Sequence, residues 1–381
     1  MSIEQEVINL LEKLISYDTT NPPGNERQLG LFLKEYLTSA NFECEYYGLN
    51  ENRGSLIARK TFSETGPKLV FNGHLDVVPA IADEWSSDPF NAVIKNGLIY
   101  GRGTADMKAG VAAMIVAALK AIALKDLSGK LELHFVADEE KQNLGTKSLQ
   151  PYWQDADYVV IGEPTELKIN TSHRGTSRFN LYFLGETSHS SAPDQGDNAI
   201  TKAAMAVEVI NQINASFNTD DHPILPQRTI APTQIRGGKS ENTIPDRCIL
   251  TIDRRLFPGE TKASIEDEIC SNLAKADLIE SRDFVYDNYF FLAAGETDPD
   301  TPIVKFASNA YQETFGKEAE VTYFSASCEE SLFTDQNIQT IIFGPGSLKE
   351  AHKVDEFIRI SEFEPAVNFY FNFIKQVLGT Q

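Results

Sequence analysis

The sequence predicts an α/β domain with a mixed, largely parallel sheet, into which a smaller α+β domain is inserted. Three observations support this fold class. Apolar runs of strand length alternate with amphipathic helices over residues 1–176, which is the order of an α/β layer. Over residues 177–288 strand-like runs dominate, with two helices among them. The α/β pattern then returns over residues 289–381.

The first two predicted elements are amphipathic helices, separated by a turn that contains Pro22, Pro23 and Gly24. Their apolar residues recur at helical spacing. The first helix carries Val7, Leu10, Leu11, Leu14 and Ile15, and the second carries Leu29, Phe32, Leu33, Tyr36 and Leu37. Short apolar runs that begin at Ser55, Lys68 and Gly97 then predict strands bounded by turns.

A buried helix is predicted from Lys108 onward, because KAGVAAMIVAALKAIAL is apolar on nearly all sides. Strands are predicted from Leu131 and from Asp157, and both runs end in acidic residues. Open α/β sheets place their sites at the carboxyl ends of strands. The acidic residues at these two ends are therefore candidates for function.

The inserted domain is predicted from the strand-like runs FNLYFLGE, TIAPTQIRG and CILTIDRR. Two amphipathic helices lie among them, one around Ile200 to Ile210 and one around Ile265 to Leu273. Two helices on one face of a small antiparallel sheet form a separate α+β domain. After it, a strand from Thr340 and a closing helix from Pro365 complete the outer domain.

Composition excludes several functional classes. The 381 residues contain 55 acidic and 34 basic side chains, for a formal net charge of −21. We therefore expect no nucleic-acid partner and no attraction to an anionic membrane. The four cysteines are scattered, so neither a disulfide framework nor a thiolate zinc site is expected. The N-terminus lacks a signal pattern, and no apolar run spans a bilayer, so a cytoplasmic globular protein is expected.

Histidines and carboxylates of a metal-binding type occur at the predicted strand ends and turns. Divalent metals in hydrolytic sites use imidazole and carboxylate ligands. The candidates are His74, Asp76, Asp106, Asp138, Glu139, Glu140, Glu163 and His352. Each one alone is more typical of a turn, a solvated charge run or an ordinary loop histidine. Their occurrence together, in the α/β segments of one chain, favours a metal site.

The order and wording of these segments resemble the acetylornithine deacetylase / succinyl-diaminopimelate desuccinylase family. The matching motifs are HLDVVP, GRGTADMKAG, ADEE, IGEPT, HSSAP and GPGSLKEAHKVDEF, and the resemblance covers nearly the whole chain. That family belongs to the co-catalytic zinc amidohydrolases and exopeptidases that include aminoacylase and glutamate carboxypeptidase. The resemblance implies a zinc-exopeptidase-like catalytic domain. It also implies a ferredoxin-like insertion that acts as lid and forms a homodimer.

The resemblance also implies a role for each candidate in the outer domain. It implies two divalent metal ions, Zn²⁺ foremost, for which Co²⁺ can substitute. His74 and Glu163 are similar to the ligands of one ion, Glu140 and His352 to those of the other, and Asp106 to the bridging carboxylate. Asp76 resembles the residue that orients the His74 imidazole. Glu139 resembles the general base that moves a proton from water to the leaving nitrogen.

Four further residues are implied to contact the substrate. His189, in HSSAP, resembles a histidine that the partner subunit supplies to the developing oxyanion. Asn242 resembles a substrate contact, and Arg255 resembles the arginine that binds the substrate α-carboxylate. Glu329 matches an acidic position, although the small residues that usually precede it are absent. This departure concerns side-chain specificity, and a site divided between two domains predicts hinge closure on substrate.

Within the family, the motifs of this chain resemble those of acetylornithine deacetylase most, and the expected substrate is an N-acyl amino acid. Desuccinylation of N-succinyl-diaminopimelate, a broader N-acyl-amino-acid hydrolase activity and a dipeptidase activity remain open. The sequence lacks the GxSxG motif of a serine hydrolase and the HExxH motif of a thermolysin-like protease. A non-catalytic metal-binding relative is the alternative from another class, and it is disfavoured because every proposed ligand and the base are present.

Overall fold

The chain folds into two compact units. The structure, a computed structural model, describes residues 1–218 and 221–380. One unit comprises Met1–Ser172 and Glu296–Gln381, and the other comprises His173–Gly295. The sequence-based boundaries lie at 176/177 and 288/289, a few residues from these positions. In the described part of the chain, no helix is both long enough and apolar enough to cross a membrane.

The described helices account for the apolar periodicities of the sequence. They are α1 (Ile3–Ile15), α2 (Arg27–Ser39), α3 (Ala109–Ala121), α4 (Leu144–Ser148), α5 (Gln150–Trp153), α6 (Ala199–Ser216), α7 (Lys262–Lys275), α8 (Pro302–Phe315), α9 (Glu330–Thr334) and α10 (Phe363–Leu378). The side chain of Ser2 caps α1 by accepting a hydrogen bond from the backbone N–H of Gln5. Nearly every residue of α3 is buried, as its all-round apolar sequence predicts.

The described strands are mostly short. They are β1 (Glu43–Gly48), β2 (Gly54–Thr61), β3 (Lys68–His74), β4 (Val93–Lys95), β5 (Leu98–Tyr100), β6 (Lys130–Val136), β7 (Tyr158–Ile161), β8 (Ile169–His173), β9 (Gly175–Leu184), β10 (Ser188–His189), β11 (Thr229–Gly237), β12 (Thr243–Ile244), β13 (Arg247–Leu256), β14 (Phe284–Leu292), β15 (Gly295–Glu296), β16 (Val321–Phe324), β17 (Gln339–Ile342) and β18 (Phe357–Arg359).

The main sheet has the strand order β1-β2-β6-β3-β7-β17-β8-β15, and β16 also pairs with β8. Its central strands β6, β3, β7 and β17 are mutually parallel. The pairs β1/β2, β2/β6 and β17/β8 are antiparallel, so the sheet is mixed, as predicted. Because the parallel strands are neighbours, their carboxyl ends meet at one edge of the sheet.

Helices cover both faces of this sheet. Strand β3 is buried along its whole length, and its side chains alternate between two apolar clusters. Leu69 and Phe71 pack in the larger cluster, which contains residues of α1, α2, α3, α8 and α10. Val70 packs in the smaller cluster with Trp153 of α5 and Phe333 of α9. This double coverage fixes the edge at which the strands end.

The second unit is an α+β domain. Its four-stranded antiparallel sheet has the order β11-β13-β9-β14, and α6 and α7 pack on one face. The connectivity β9-α6-β11-β13-α7-β14 is the ferredoxin-like β-α-β-β-α-β arrangement. The short strands β10 and β12 form a separate antiparallel pair.

Three details differ from the sequence-based expectations. Strand β6 ends at Val136, so the acidic residues that follow lie in a turn and not in the strand. Strand β5 belongs to a small sheet with β4 and β18, outside the main sheet. Strand β14 was not predicted, and the sequence-based boundary at residue 288 cuts through it.

Candidate metal centre

The candidate site begins where three adjacent parallel strands end. His74 is the last residue of β3 and pairs in register with Val136, the last residue of β6. Glu163 lies two residues beyond the end of β7. Because β6, β3 and β7 are neighbours, the segments after them lie side by side. The prediction that strand-end carboxylates converge agrees with this geometry.

Asp106 reaches the same edge from the turn that precedes α3. Gly103 has φ +85°, and a Cβ there would lie 2.7 Å from Val77 Cγ1, so glycine suits this position. The peptide bond between Asp106 and Met107 is cis. The side chain of Asp106 is 9% exposed.

Two histidines contact Asp106, each at a different oxygen of its carboxylate. His74 Nε2 lies 2.9 Å from Asp106 Oδ1 and 3.6 Å from Glu163 Oε1. His352 Nε2 lies 3.2 Å from Asp106 Oδ2 and 3.2 Å from Glu140 Oε1. Asp106 therefore lies between two groups, each with one histidine and one further carboxylate. This is the pairing that the resemblance implied.

Among the described residues, side-chain ligand atoms converge in three groups, within each of which they lie at most 4.8 Å apart. The groups are His74 with Asp106 and Glu163; Asp106 with Glu140 and His352; and Glu139 with Glu163 and Glu329. The first two groups share Asp106, and the first and third share Glu163. The site thus brings five carboxylates together with two imidazoles.

The electrostatics reflect this excess of acidic groups. Burial raises the pKa of Glu163 well above its usual value, and the Asp106 charge raises it further. Burial alone would raise the pKa of Asp106, but hydrogen bonds donated by His352 and His74 outweigh it and lower that pKa. Burial would lower the pKa of His74, yet the neighbouring carboxylates of Asp106 and Glu163 raise it well above its usual value.

The residues present fit a pair of divalent ions. Imidazole nitrogen and carboxylate oxygen are the donors that zinc and similar metals use in hydrolytic sites. Burial and, after it, the charge of Asp106 raise the pKa of Glu163, so positive charge placed among these carboxylates would be favourable. His74 donates its Nδ1–H to the backbone carbonyl of Asp76 at 2.8 Å, which leaves Nε2 directed at Asp106 and Glu163.

Asp76 is placed differently from the expectation. Its nearest carboxylate oxygen lies 3.9 Å from His74 Nδ1, beyond hydrogen-bond distance, because the Asp76 backbone carbonyl takes that position. The carboxylate instead accepts the backbone N–H groups of Glu139 at 3.1 Å and of Glu140 at 3.2 Å. Asp76 therefore anchors the segment that carries the proposed base and a candidate ligand.

Glu139 and Glu329 complete the site. Burial raises the pKa of Glu139 well above its usual value; His74 lowers it, and the carboxylates of Glu163 and Glu329 raise it. The Glu329 side chain is fully buried. It accepts hydrogen bonds from Thr146 Oγ1 at 2.8 Å and from Asn72 Nδ2 at 3.2 Å. A contact between Glu329 and substrate stays a prediction.

A buried polar network behind the site was not predicted from the sequence. Asn21 donates to Asp76 Oδ2 at 2.8 Å and to Asp138 Oδ1 at 3.1 Å. Arg53 bridges Asp138, at 2.8 Å, and Glu26, at 2.6 Å. These residues are far apart in the chain. The available signal was that Asp138 lies within the ADEE motif and that Asn21 directly precedes the turn that contains Pro22, Pro23 and Gly24.

The three remaining candidates lie in the second unit. His189 of β10 pairs with Thr243 of β12. The backbone carbonyl of Asn242 accepts a hydrogen bond from the backbone N–H of Ser190 at 2.9 Å. The backbone N–H of Ser191 donates to His189 Nδ1 at 3.2 Å, so the neutral ring carries its proton at Nε2.

Arg255 lies on β13, where its guanidinium donates to Asp253 at 3.2 Å and to Thr176 Oγ1 at 3.0 Å. The structure thus places His189 beside Asn242 within the second unit, and Arg255 on a strand of the four-stranded sheet.

Known proteins with similar sequences are amide hydrolases by name. An acetylornithine deacetylase of Proteus mirabilis is 30% identical, over 91% of this chain and 89% of that protein. A probable succinyl-diaminopimelate desuccinylase of Staphylococcus epidermidis is 25% identical, over 98% of each chain. An N-formyl-4-amino-5-aminomethyl-2-methylpyrimidine deformylase of Halalkalibacterium halodurans is 27% identical, over 94% of this chain and 91% of that protein.

Solved structures share the fold at lower sequence identity. The aminopeptidase PepT of Bacillus cereus superposes with a TM-score of 0.79 at 20% identity, over 98% of each chain. A dinuclear metal-binding peptidase of the M20 family from Bacillus subtilis superposes with a TM-score of 0.73 at 14% identity, over 99% of this chain and 98% of that chain.

The family model that describes peptidase family M20/M25/M40 matches residues 70–376, which include every candidate site residue. Together with the relatives named above, this match confirms the expected family. The chain therefore belongs to peptidase family M20/M25/M40 and is an amidohydrolase of that family.

Proposed function

We propose that this chain hydrolyses the amide bond of an N-acyl amino acid, and that N-acetylornithine is its substrate. The observation that carries the proposal is the pair of histidine–carboxylate groups that share Asp106, with Glu139 alongside. The name of the relative from Proteus mirabilis favours acetylornithine among the family's substrates.

Five side chains would hold two divalent ions, with Zn²⁺ as the expected metal and Co²⁺ as a substitute. His74 and Glu163 would bind one ion, Glu140 and His352 the other, and Asp106 both. Such a pair, when bound, polarises a substrate carbonyl and lowers the pKa of water toward neutrality.

Glu139 would carry the proton of the reaction. A general base must accept a proton from the attacking water and then deliver it to the leaving nitrogen. The carboxyl would hold the proton between these two events, and one of its oxygens lies within 4.8 Å of a ligand atom of Glu163, a candidate metal ligand. The hydrogen bond from its backbone N–H to Asp76 holds its backbone in place.

Three residues of the second unit, and Glu329 of the first, would bind the substrate. His189 has an exposed imidazole whose Nε2–H has no hydrogen-bond partner among the described residues. It would donate to the developing oxyanion, supplied by the partner subunit. Arg255 would bind the α-carboxylate, and Asn242 would contact the substrate. Glu329 would favour the ornithine ammonium through its negative charge, because an acidic group in the site attracts a cationic side chain.

The homodimer is proposed through the second unit. Strand β11 is an edge strand of the four-stranded sheet, and most of its residues are exposed, including Ile235 at 52%. An exposed edge strand can pair with the same strand of another copy. Light scattering should give a dimer, and a fully active monomer would contradict the donation of His189 from the partner subunit.

The proposal is tested by hydrolysis assays on the purified protein loaded with Zn²⁺ or Co²⁺. N-acetylornithine should be hydrolysed in preference to N-succinyl-diaminopimelate, and Glu139→Ala should abolish turnover. Glu64→Ala is the matched control, because Glu64 is an exposed acid that precedes β3, and His74 lies at the other end of that strand. Preference for the succinylated substrate would assign a desuccinylase instead, and activity on dipeptides alone would assign a peptidase.

A further inference from the structure

A buried ion pair lies beneath the turn that carries Asp106. Glu356 is 1% exposed and Arg102 is 3% exposed. Arg102 Nη1 donates to Glu356 Oε2 at 2.6 Å, and its guanidinium also stacks on the Trp85 ring at 5.0 Å. Neither charged residue is among the candidate ligands or the proposed substrate contacts.

The Glu356 carboxylate accepts three backbone N–H groups of this turn. Oε1 accepts from Ala105 at 2.7 Å and from Asp106 at 3.1 Å, and Oε2 accepts from Gly103 at 3.2 Å. Together with Arg102, four donors therefore converge on one carboxylate. Hydrogen bonds to an ionised acceptor are stronger than those between neutral groups.

Glu356 also connects this turn to the segment that carries His352. It follows His352 by four residues and directly precedes β18, whose first residue, Phe357, pairs with Tyr100 of β5. The backbone carbonyl of Glu356 accepts the N–H of Gly101 at 3.0 Å. Both the backbone and the side chain of Glu356 therefore hold residues 101–106.

We propose that Glu356 is a positioning residue that fixes the Asp106 carboxylate between the two candidate metal-binding groups. Its hydrogen bond to the Asp106 backbone N–H sets the point from which that side chain extends. The short path from Glu356 to His352 places a second candidate ligand relative to the same anchor. This role rests on the proposed function, because it requires that Asp106 bind metal.

A purely structural ion pair would have different consequences. Removing one partner of a buried pair lowers stability because the other charge is left without a partner. That effect would appear in unfolding, with no change in metal affinity once the protein is folded. A positioning role predicts, in addition, loosening of the turn in the metal-free protein and weaker metal binding by the folded protein.

The test compares Glu356→Gln and Glu356→Asp with wild type. Glutamine keeps the shape but presents an amide N–H₂ to donors, and aspartate keeps the charge but shortens the reach. Asp355→Asn is the matched control, because the neighbouring Asp355 accepts hydrogen bonds from the backbone N–H and hydroxyl of Ser86, in another loop.

Two readouts are measured on each folded variant. Hydrogen–deuterium exchange of residues 101–108 is followed in the metal-free protein, and Zn²⁺ affinity and stoichiometry are measured by titration. We expect both Glu356 variants to exchange the amides of residues 103, 105 and 106 about tenfold faster. We expect them to bind the more weakly held Zn²⁺ about tenfold less tightly, a factor that corresponds to about 1.4 kcal/mol. Asp355→Asn should match wild type in both.

Wild-type exchange and affinity in folded Glu356→Gln would overturn the proposal, and so would faster exchange with unchanged affinity. If Glu356→Gln does not fold, Glu356→Asp decides by the same two readouts. Failure of the wild-type protein to bind Zn²⁺ would instead overturn the metal roles in the proposed function. The exchange readout would still show whether Glu356 holds the turn.

Discussion

Replacing Asp76 with asparagine separates two ways in which this residue could act. The Asp76 carboxylate accepts the backbone N–H groups of Glu139 and Glu140 and the side-chain amide of Asn21. The His74 imidazole is held by the backbone carbonyl of Asp76, which the substitution leaves in place. Asp76→Asn should therefore disturb the Glu139–Glu140 segment and spare His74.

The magnitude follows from the number of donors that lose an acceptor. Asparagine offers one oxygen, so either the N–H of Glu139 or that of Glu140 would face an amide N–H₂ group. A buried donor left unpaired costs about 1–3 kcal/mol. Because about 1.4 kcal/mol is a factor of ten, we expect binding of the metal at Glu140 and His352 to weaken about tenfold or more.

The assay is a Co²⁺ titration of the metal-free protein, with stoichiometry and affinity resolved for each equivalent. Asp76→Asn should bind one equivalent of Co²⁺ at wild-type affinity and the other equivalent more weakly. His352→Ala, which removes a candidate ligand of that second group alone, should give the same pattern. Two results in Asp76→Asn would refute this reasoning. One is loss of the Co²⁺ ion assigned to the group that contains His74, and the other is binding of both ions at wild-type affinity.

Three further substitutions have defined outcomes. Both carboxylate oxygens of the buried Glu330 lack a hydrogen-bond partner among the described residues, and burial raises its pKa well above the usual 4.5, with Glu296 adding to the effect. The folded state therefore favours the neutral form, and stability is lost as pH rises above about 4.5. Glu330→Gln should raise the free energy of unfolding in urea by about 1–3 kcal/mol at pH 8 and change it little at pH 4; no gain at pH 8 would contradict this. Gly110→Ala would place a Cβ 2.1 Å from the Gly162 carbonyl oxygen. It should lower stability by about 1–3 kcal/mol in thermal unfolding, whereas Gly48→Ala, with its nearest contact at 3.9 Å, should not. Glu329→Gln should lower kcat/KM for N-acetylornithine about tenfold relative to N-acetylmethionine, and an unchanged ratio would exclude recognition of the ornithine ammonium by Glu329.

Local patterns predicted the part of the fold that positions the site. Strand-like runs that end in acids predicted the segments after β6 and β7, and the all-round apolar sequence predicted α3. Strand β14 was not predicted from the sequence because its exposed positions include the apolar Val285 and Tyr289, so polar and apolar residues do not alternate.

Long-range side-chain contacts were beyond what local patterns can predict. The contact between Asn21 and Asp76 joins residues 55 positions apart, and that between Glu356 and the Asp106 backbone joins residues 250 apart. Periodicity reports the face on which a residue lies, and it does not report its partner atom. For the same reason the motif around Asp76 indicated a residue that supports the site, while the structure identified the backbone N–H groups that it holds.

The proposed function requires that Glu139 move the proton during amide hydrolysis at a two-metal site. It is tested most directly by the rate of N-acetylornithine hydrolysis for Glu139→Gln and wild type, each with its bound metal measured. We predict two Zn²⁺ per chain in both proteins and a fall in kcat of about 10²–10⁴-fold in the variant. Turnover at the wild-type rate in Glu139→Gln with both ions bound would contradict this role of Glu139.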